Sequence, residues 1–140
     1  MKVSEAMTAQ VVTATPTTTI AEVARIMAQI DSGAVPVLED GKVVGLITDR
    51  DIVVRGLAAG GGPDTAVSEV MSDGVQSCQE DDSVAEAAAK MGAQQIRRLV
   101  VLNDAGKLTG ILSLGDLALD YGAKAVGKTL EDISEPAAAH

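Results

Sequence analysis

Two stretches of this sequence place a hydroxyl residue three positions ahead of an aspartate where an apolar run ends: Gly45-Leu46-Ile47-Thr48-Asp49-Arg50-Asp51 and Gly110-Ile111-Leu112-Ser113-Leu114-Gly115-Asp116. Such a pair has two uses. At the start of a helix, the hydroxyl and the carboxylate satisfy backbone N–H groups that the first turn leaves unpaired, and the negative charge suits the positive end of the helix dipole. The same geometry also suits a ligand. Free N–H groups and a short hydroxyl can hold a phosphate, and an acceptor carboxylate one turn along can hold the two hydroxyls of a ribose. Gly45 and Gly110 keep the backbone bare where a ligand can approach, although a glycine equally marks a strand bend.

An anionic ligand on a chain of formal net charge −9 needs local cations. Of the basic residues, numbering 11, only Arg97 and Arg98 are adjacent. They stand immediately ahead of an apolar run, where the first copy has Gly33 and Ala34, whereas Arg50 lies inside the first motif where the second has Gly115. The two corners are therefore expected to differ. The plainer alternative is a solvated arginine pair at a strand edge, with Arg50 and Arg55 lining the outer face of their helix.

Other chemistry has little to build on. One histidine, His140, and one cysteine, Cys78, supply neither a nucleophile with its base nor a metal-ligand cluster, so no enzyme is expected. Cys78 is read as an inert buried apolar residue, with a redox switch as the alternative. The acidic balance argues against nucleic acid and anionic membrane as partners. A lone cysteine, no apolar run of spanning length and no signal core in MKVSEAMTAQ point to a soluble protein of the cytoplasm. Tyr121 is the single aromatic residue, so a bound flat ring would rest on aliphatic side chains.

The elements that must position these residues are written twice. Val3-Ser4-Glu5-Ala6-Met7-Thr8 aligns with Val67-Ser68-Glu69-Val70-Met71-Ser72, and Thr19-Ile20-Ala21-Glu22 with Ser83-Val84-Ala85-Glu86. One extra residue in the second turn, NDAGK against EDGK, then brings Gly45, Thr48 and Asp51 onto Gly110, Ser113 and Asp116. The Thr19 and Ser83 motifs predict helix starts by capping box, and the first helix is expected to end near Gly33. Val35 to Leu38 and Val43 to Ile47 predict a hairpin around Asp40-Gly41, repeated by Leu99 to Leu102 and Leu108 to Leu112. Pro36 places its strand at an edge or turns its missing donor away from the ladder. Short strands are predicted at Val11-Val12-Thr13 and Val75-Gln76-Ser77. Each half then reads β-α-β-β-α, an α/β (α+β) arrangement with pseudo-two-fold symmetry, small sheets packed face to face and helices outside. The division is 1–62, 63–121 and a tail at 122–140, with Gly60-Gly61-Gly62-Pro63 as the flexible seam.

A β-α-β-β-α unit that ends in glycine, two apolar residues, Thr or Ser, and an aspartate three places later, written in tandem, resembles a pair of cystathionine-β-synthase (CBS) domains. The resemblance runs from Val3 to about Tyr121 and includes the V-S-E-x-M opening of each repeat; TDRDIVVRGLAAG is similar to stand-alone bacterial two-domain proteins of this class, some linked to stress or hypoxia responses. It implies a disc-like homodimer and an adenosine-containing ligand, AMP, ADP, ATP or S-adenosylmethionine, in clefts between the two repeats, with no covalent cofactor. Ligand-free members also occur. By the same resemblance, Asp116 is the ribose contact, Ser113 a phosphate-side contact, and Arg98 with Arg97 the neutralising cations, while Val12 and Thr13 line the adenine. The second site would use Thr48 and Asp51 with Ser77 and Cys78, and Ala34 in place of Arg98 weakens its hold on phosphate unless Arg50 compensates. Val100 departs from the proline often found there.

Two functions follow from these readings. One is a regulatory module that senses an adenine nucleotide; the other is a ligand-free dimerisation or docking scaffold in which the repeated motif only caps helices. The tail GAKAVGKTLEDISE favours the second through a short stripe of Leu130 and Ile133 behind a Thr129-x-x-Asp132 cap, although packing of that stripe on its own domain is the preferred reading.

Overall fold

The computed structural model describes residues 1–9, 12–120 and 131–134. In chain order the elements are α1 (Val3–Ala6), β1 (Thr8–Ala9), α2 (Ile20–Ile30), β2 (Ala34–Glu39), β3 (Lys42–Thr48), a helix over Asp51–Leu57, a 3₁₀ turn over Val67–Glu69, β4 (Ser77–Gln79), α3 (Val84–Gln94), β5 (Arg98–Leu102), β6 (Leu108–Ser113) and α4 (Leu114–Asp120). The architecture is mixed helix and strand with small sheets, as the sequence predicts.

These elements fall into two compact units that do not follow the repeats. One is continuous, Val12–Val75; the other is split and joins Met1–Val11 to Gln76–His140. In the split unit the opening segment of repeat one lies on the body of repeat two, giving a sheet of order β1-β6-β5-β4. In the continuous unit the opening segment of repeat two, Val67 to Ser72, lies on the β2-β3 hairpin of repeat one through a bridge between Leu46 and Ser72.

Each unit has its own core, built from aliphatic side chains at repeat-matched positions. Val3, Met91, Leu99, Val101, Leu112 and Leu117 fill that of the split unit. Val23, Val35, Val37, Ile47 and Val67 fill that of the continuous unit. Val3 and Val67 are both fully buried, so the V-S-E-x-M openings supply a core side chain at full hydrophobic value, about 1.5–3 kcal/mol.

Local chemistry explains most of the element ends. The Thr19 and Ser83 hydroxyls accept from the backbone N–H of Glu22 at 3.2 Å and Glu86 at 3.1 Å, so both helix starts form as predicted. The first hairpin turns through Asp40 and Gly41 with φ of 52° and 78°, values that glycine takes freely and aspartate tolerates. α2 stops at Ile30, short of the expected Gly33, because Asp31 adopts the left-handed cap (φ 52°, ψ 50°); Gln95 does the same after α3.

Other expectations are corrected. The strand predicted at 75–77 forms two residues later as β4, parallel to β5. Its counterpart at 11–13 shrinks to a single bridge between Ala14 and Val37, with Val11 outside the described residues. Pro36 is the reason. Val100 donates its N–H to the Gln76 carbonyl at 3.2 Å, and Pro36, which occupies the same place in repeat one, has no N–H to give. The glycine run at 60–63 lies inside the continuous unit, where the Pro63 and Thr65 carbonyls accept from Ala21 and Ile20 at the start of α2. In the tail, Thr129 and Leu130 lie outside the described residues. Ile133 packs on the core of the split unit, and Gln95 Nε2 donates to the Asp132 carbonyl at 3.2 Å.

Candidate functional site

Apolar strands β3 and β6 both end in a hydroxyl residue because a helix must start there, and each start is closed by a reciprocal cap. In the split unit, the Ser113 N–H donates to Asp116 Oδ2 at 2.9 Å and the Asp116 N–H donates to Ser113 Oγ at 3.1 Å. In the continuous unit, the Thr48 N–H donates to Asp51 Oδ2 at 3.0 Å and the Asp51 N–H donates to Thr48 Oγ1 at 3.1 Å. The capping use of the motif is therefore present in both copies. It consumes one carboxylate oxygen and leaves the other, Oδ1, to face further partners.

Those partners differ. Thr8 Oγ1 donates to Asp116 Oδ1 at 3.2 Å. At Asp51 the same oxygen lies 3.9 Å from Arg55 Nη1, one turn along the helix. That nitrogen also reaches the Val70 and Met71 carbonyls at 3.5 and 3.4 Å and Ser72 Oγ at 3.4 Å. Thr8 and Ser72 occupy the same place in the two repeats. A direct hydroxyl–carboxylate bond in one corner is thus an arginine-bridged contact in the other.

Gly45 and Gly110 belong to these corners for a reason the sequence left open. A Cβ at Gly110 would lie 2.6 Å from the Thr8 carbonyl oxygen and 2.8 Å from Met7 Sδ; at Gly45 it would lie 2.5 Å from Met71 Sδ and 3.0 Å from the Ser72 carbonyl oxygen. Both glycines admit the Met-Thr or Met-Ser step of an opening segment. They make room for the chain itself, and the register follows: Thr8 opposite Ile111, Ala9 opposite Gly110.

The cations divide as the sequence suggests. Arg98 is paired directly opposite Ser113 across β5 and β6, while Thr48 faces Ala34 at the matching position. The Arg97 carbonyl accepts from Leu114 N–H at 2.9 Å, and Arg97 itself is exposed. In the continuous unit, Gly33 replaces Arg97 and Asp49 replaces Leu114. A Cβ at Gly33 would come within 2.9 Å of Asp49 Oδ2. The Asp116 corner therefore has an arginine in register with its hydroxyl, whereas the Asp51 corner has an alanine there and the Arg55 guanidinium 3.9 Å from its carboxylate.

The remaining candidates sit on the lead-in segments. Val12 and Thr13 are half-buried just before the Ala14 bridge of the continuous unit, and Ser77 is half-buried on β4 of the split unit. The Ser77 carbonyl accepts from Lys90 Nζ, a partner that repeat one lacks because Ile26 stands at that place. Cys78 is 6% exposed and packs in the core. Burial, together with the nearby Asp82 carboxylate and partly offset by Lys90, pushes its thiol up to about 11. Sequence reasoning missed Thr8 and Ser72, although the repeat alignment placed these two hydroxyls in register.

Comparison with known proteins agrees with this architecture. The family model of the CBS domain matches residues 3–57 and again 67–120. The CBS domain-containing protein YhcV of Bacillus subtilis is 43% identical over 133 residues, covering 94% of both chains. Hypoxic response protein 1 of Mycobacterium tuberculosis is 34% identical over 122 residues, 86% of this chain and 85% of its own. Among solved structures, the CBS domain pair of protein MJ0100, in complex with 5′-methylthioadenosine and S-adenosyl-L-methionine, superposes with a TM-score of 0.77 at 28% identity over 87% of this chain and 100% of that one.

Proposed function

The chain belongs to the CBS-domain family as a tandem pair, and from that premise we propose that it is a regulatory module that binds an adenosine-containing ligand at a hydroxyl–carboxylate corner. AMP, ADP, ATP and S-adenosylmethionine are the candidates. The observation that carries the reading is the pairing of Arg98 with Ser113 one helical turn from Asp116, because cation, hydroxyl and acceptor carboxylate are what a ribose phosphate needs in one place. The adenosine ligands named with the MJ0100 pair support the ligand class. Val12, Thr13, Ser77 and Cys78 are proposed as ligand-side positions on the lead-in segments, and Thr48, Asp51 and Arg50 as the counterpart corner in the continuous unit.

Such a module performs no chemistry. A ligand shifts its packing or its association by binding one arrangement better than another. We further propose that the module works as a cytoplasmic homodimer. Val53, Val54 and Leu57 on the outer face of the Asp51–Leu57 helix are 56%, 46% and 55% exposed, more apolar side chain than a helix left in water usually presents.

The test is thermal unfolding of the full chain with each of the four compounds at millimolar concentration. A rise in Tm with at least one, lost in Asp116→Ala, is the expected result; no shift with any of them ends this reading. The exposed apolar face and the closed caps favour a second one, a ligand-free dimerisation or docking scaffold. Its mark is partner binding that survives replacement of both Asp51 and Asp116 by alanine.

A further inference from the structure

The two corners share their caps and differ in what stands over the second carboxylate oxygen. Asp116 Oδ1 accepts from a neutral rotor, the Thr8 hydroxyl at 3.2 Å, which can turn away or donate to an incoming oxygen at little cost. Asp51 Oδ1 faces the Arg55 guanidinium at 3.9 Å. The same Nη1 is directed at the Val70 and Met71 carbonyls and at Ser72 Oγ, all within 3.4–3.5 Å. That nitrogen carries two hydrogens and so serves two of these acceptors at a time, and an incoming ribose hydroxyl must compete with it for the Asp51 carboxylate.

Arg55 also changes the corner sterically, because its side chain crosses from the Asp51 helix to the Val70–Ser72 segment and spans the gap that Thr8 closes directly in the other unit. The helix it sits on is widened: Ala58 N–H donates to the Val53 carbonyl, five residues back, at 2.9 Å. Position 120, the repeat counterpart of Arg55, is an aspartate.

We infer that Arg55 is a built-in plug of the Asp51 corner, so that each chain takes a single nucleotide, at the Asp116 corner. The inference rests on the ligand-binding reading above. Arg55 here is a positioning residue that holds Asp51 and Ser72 together and denies the carboxylate to a ribose. The opposite role, a cation that recruits phosphate to Asp51, predicts the reverse result on removal, so one substitution separates them.

The experiment is isothermal titration of the full chain with AMP and with ATP, using the wild type, Arg55→Met, Asp116→Ala and the double variant. Methionine keeps the aliphatic stem of Arg55 and removes its donors; Arg55→Gln, equally neutral, repeats the measurement if the methionine variant melts early. The expected stoichiometries per chain are one for the wild type, two for Arg55→Met, none for Asp116→Ala and one for the double variant, with affinity at the first site changed less than twofold by Arg55→Met. Two sites in the wild type, or one site in both the wild type and Arg55→Met, overturn the plug and leave the ligand-binding reading standing. A silent wild type with one site in Arg55→Met keeps the plug and removes the Asp116 assignment. Silence in all four proteins removes both.

Discussion

Arg98 lies directly across the β5–β6 ladder from Ser113, whereas in the first corner Ala34 faces Thr48. A guanidinium on the strand residue opposite Ser113 places positive charge beside a hydroxyl at a helix start, where the helix dipole also favours an anion. Arg98→Ala is expected to weaken ATP binding at least tenfold, consistent with roughly 1.5–3 kcal/mol for hydrogen bonds to a charged group, while adenosine binding changes less than twofold. Titration at two salt concentrations checks the assignment, since the arginine-dependent part must shrink as salt rises.

Gly110 is held by contact rather than by conformation. A Cβ there would sit 2.6 Å from the Thr8 carbonyl oxygen, while one at Gly62 would meet nothing within 4 Å. Gly110→Ala should therefore cost about 1–3 kcal/mol through overpacking and loosen β1 from β6. Gly62→Ala should cost far less. Urea unfolding of both variants, with the protease sensitivity of the first nine residues as a second readout, makes the comparison.

The caps predict stability effects that are independent of any ligand. Thr48→Ala and Ser113→Ala each remove the acceptor of an aspartate N–H at 3.1 Å, and each is expected to lower stability by about 1 kcal/mol. Chemical denaturation of ligand-free protein measures it. Should either substitution abolish nucleotide binding with stability unchanged, the hydroxyl serves the ligand and not the helix.

Cys78 makes the pH dependence specific. Its thiol is raised from 9.0 to about 11 by burial, so below pH 9 folded and unfolded chains both keep the proton and nothing is lost. Between about pH 9 and 11 the unfolded chain ionises and the folded one does not, so stability falls through that window by on the order of 2 kcal/mol. Cys78→Val should flatten the fall in Tm over the same range. Native alkylation at pH 8 should be slow and should accelerate on denaturation.

What the sequence made legible was local or repeated. Asp40-Gly41 announced a hairpin, Thr19 and Ser83 announced helix starts, and the recurrence of Thr48-Asp51 as Ser113-Asp116 marked both corners. What it hid was non-local. Nothing near Thr8 says that it will meet Asp116, because the two are separated by 108 positions, and propensity carries no information about such pairings. Gly33 was read as a helix end, but its true neighbour is the Asp49 carboxylate. The unequal lead-in strands were visible in principle: Pro36 against Val100 is a difference of one donor, and that donor decides whether the Gln76-type hydrogen bond can form.

The split unit has a consequence for synthesis. Residues 12–75 leave the ribosome as an uninterrupted stretch with their own core, whereas Met1–Ala9, made before them, must wait for β6 before its strand has an edge to join. An early-made ribbon thus closes a late-made sheet. A bulky fusion ahead of Met1 that keeps the ribbon away is expected to harm the more distant half of the protein and spare the nearer one.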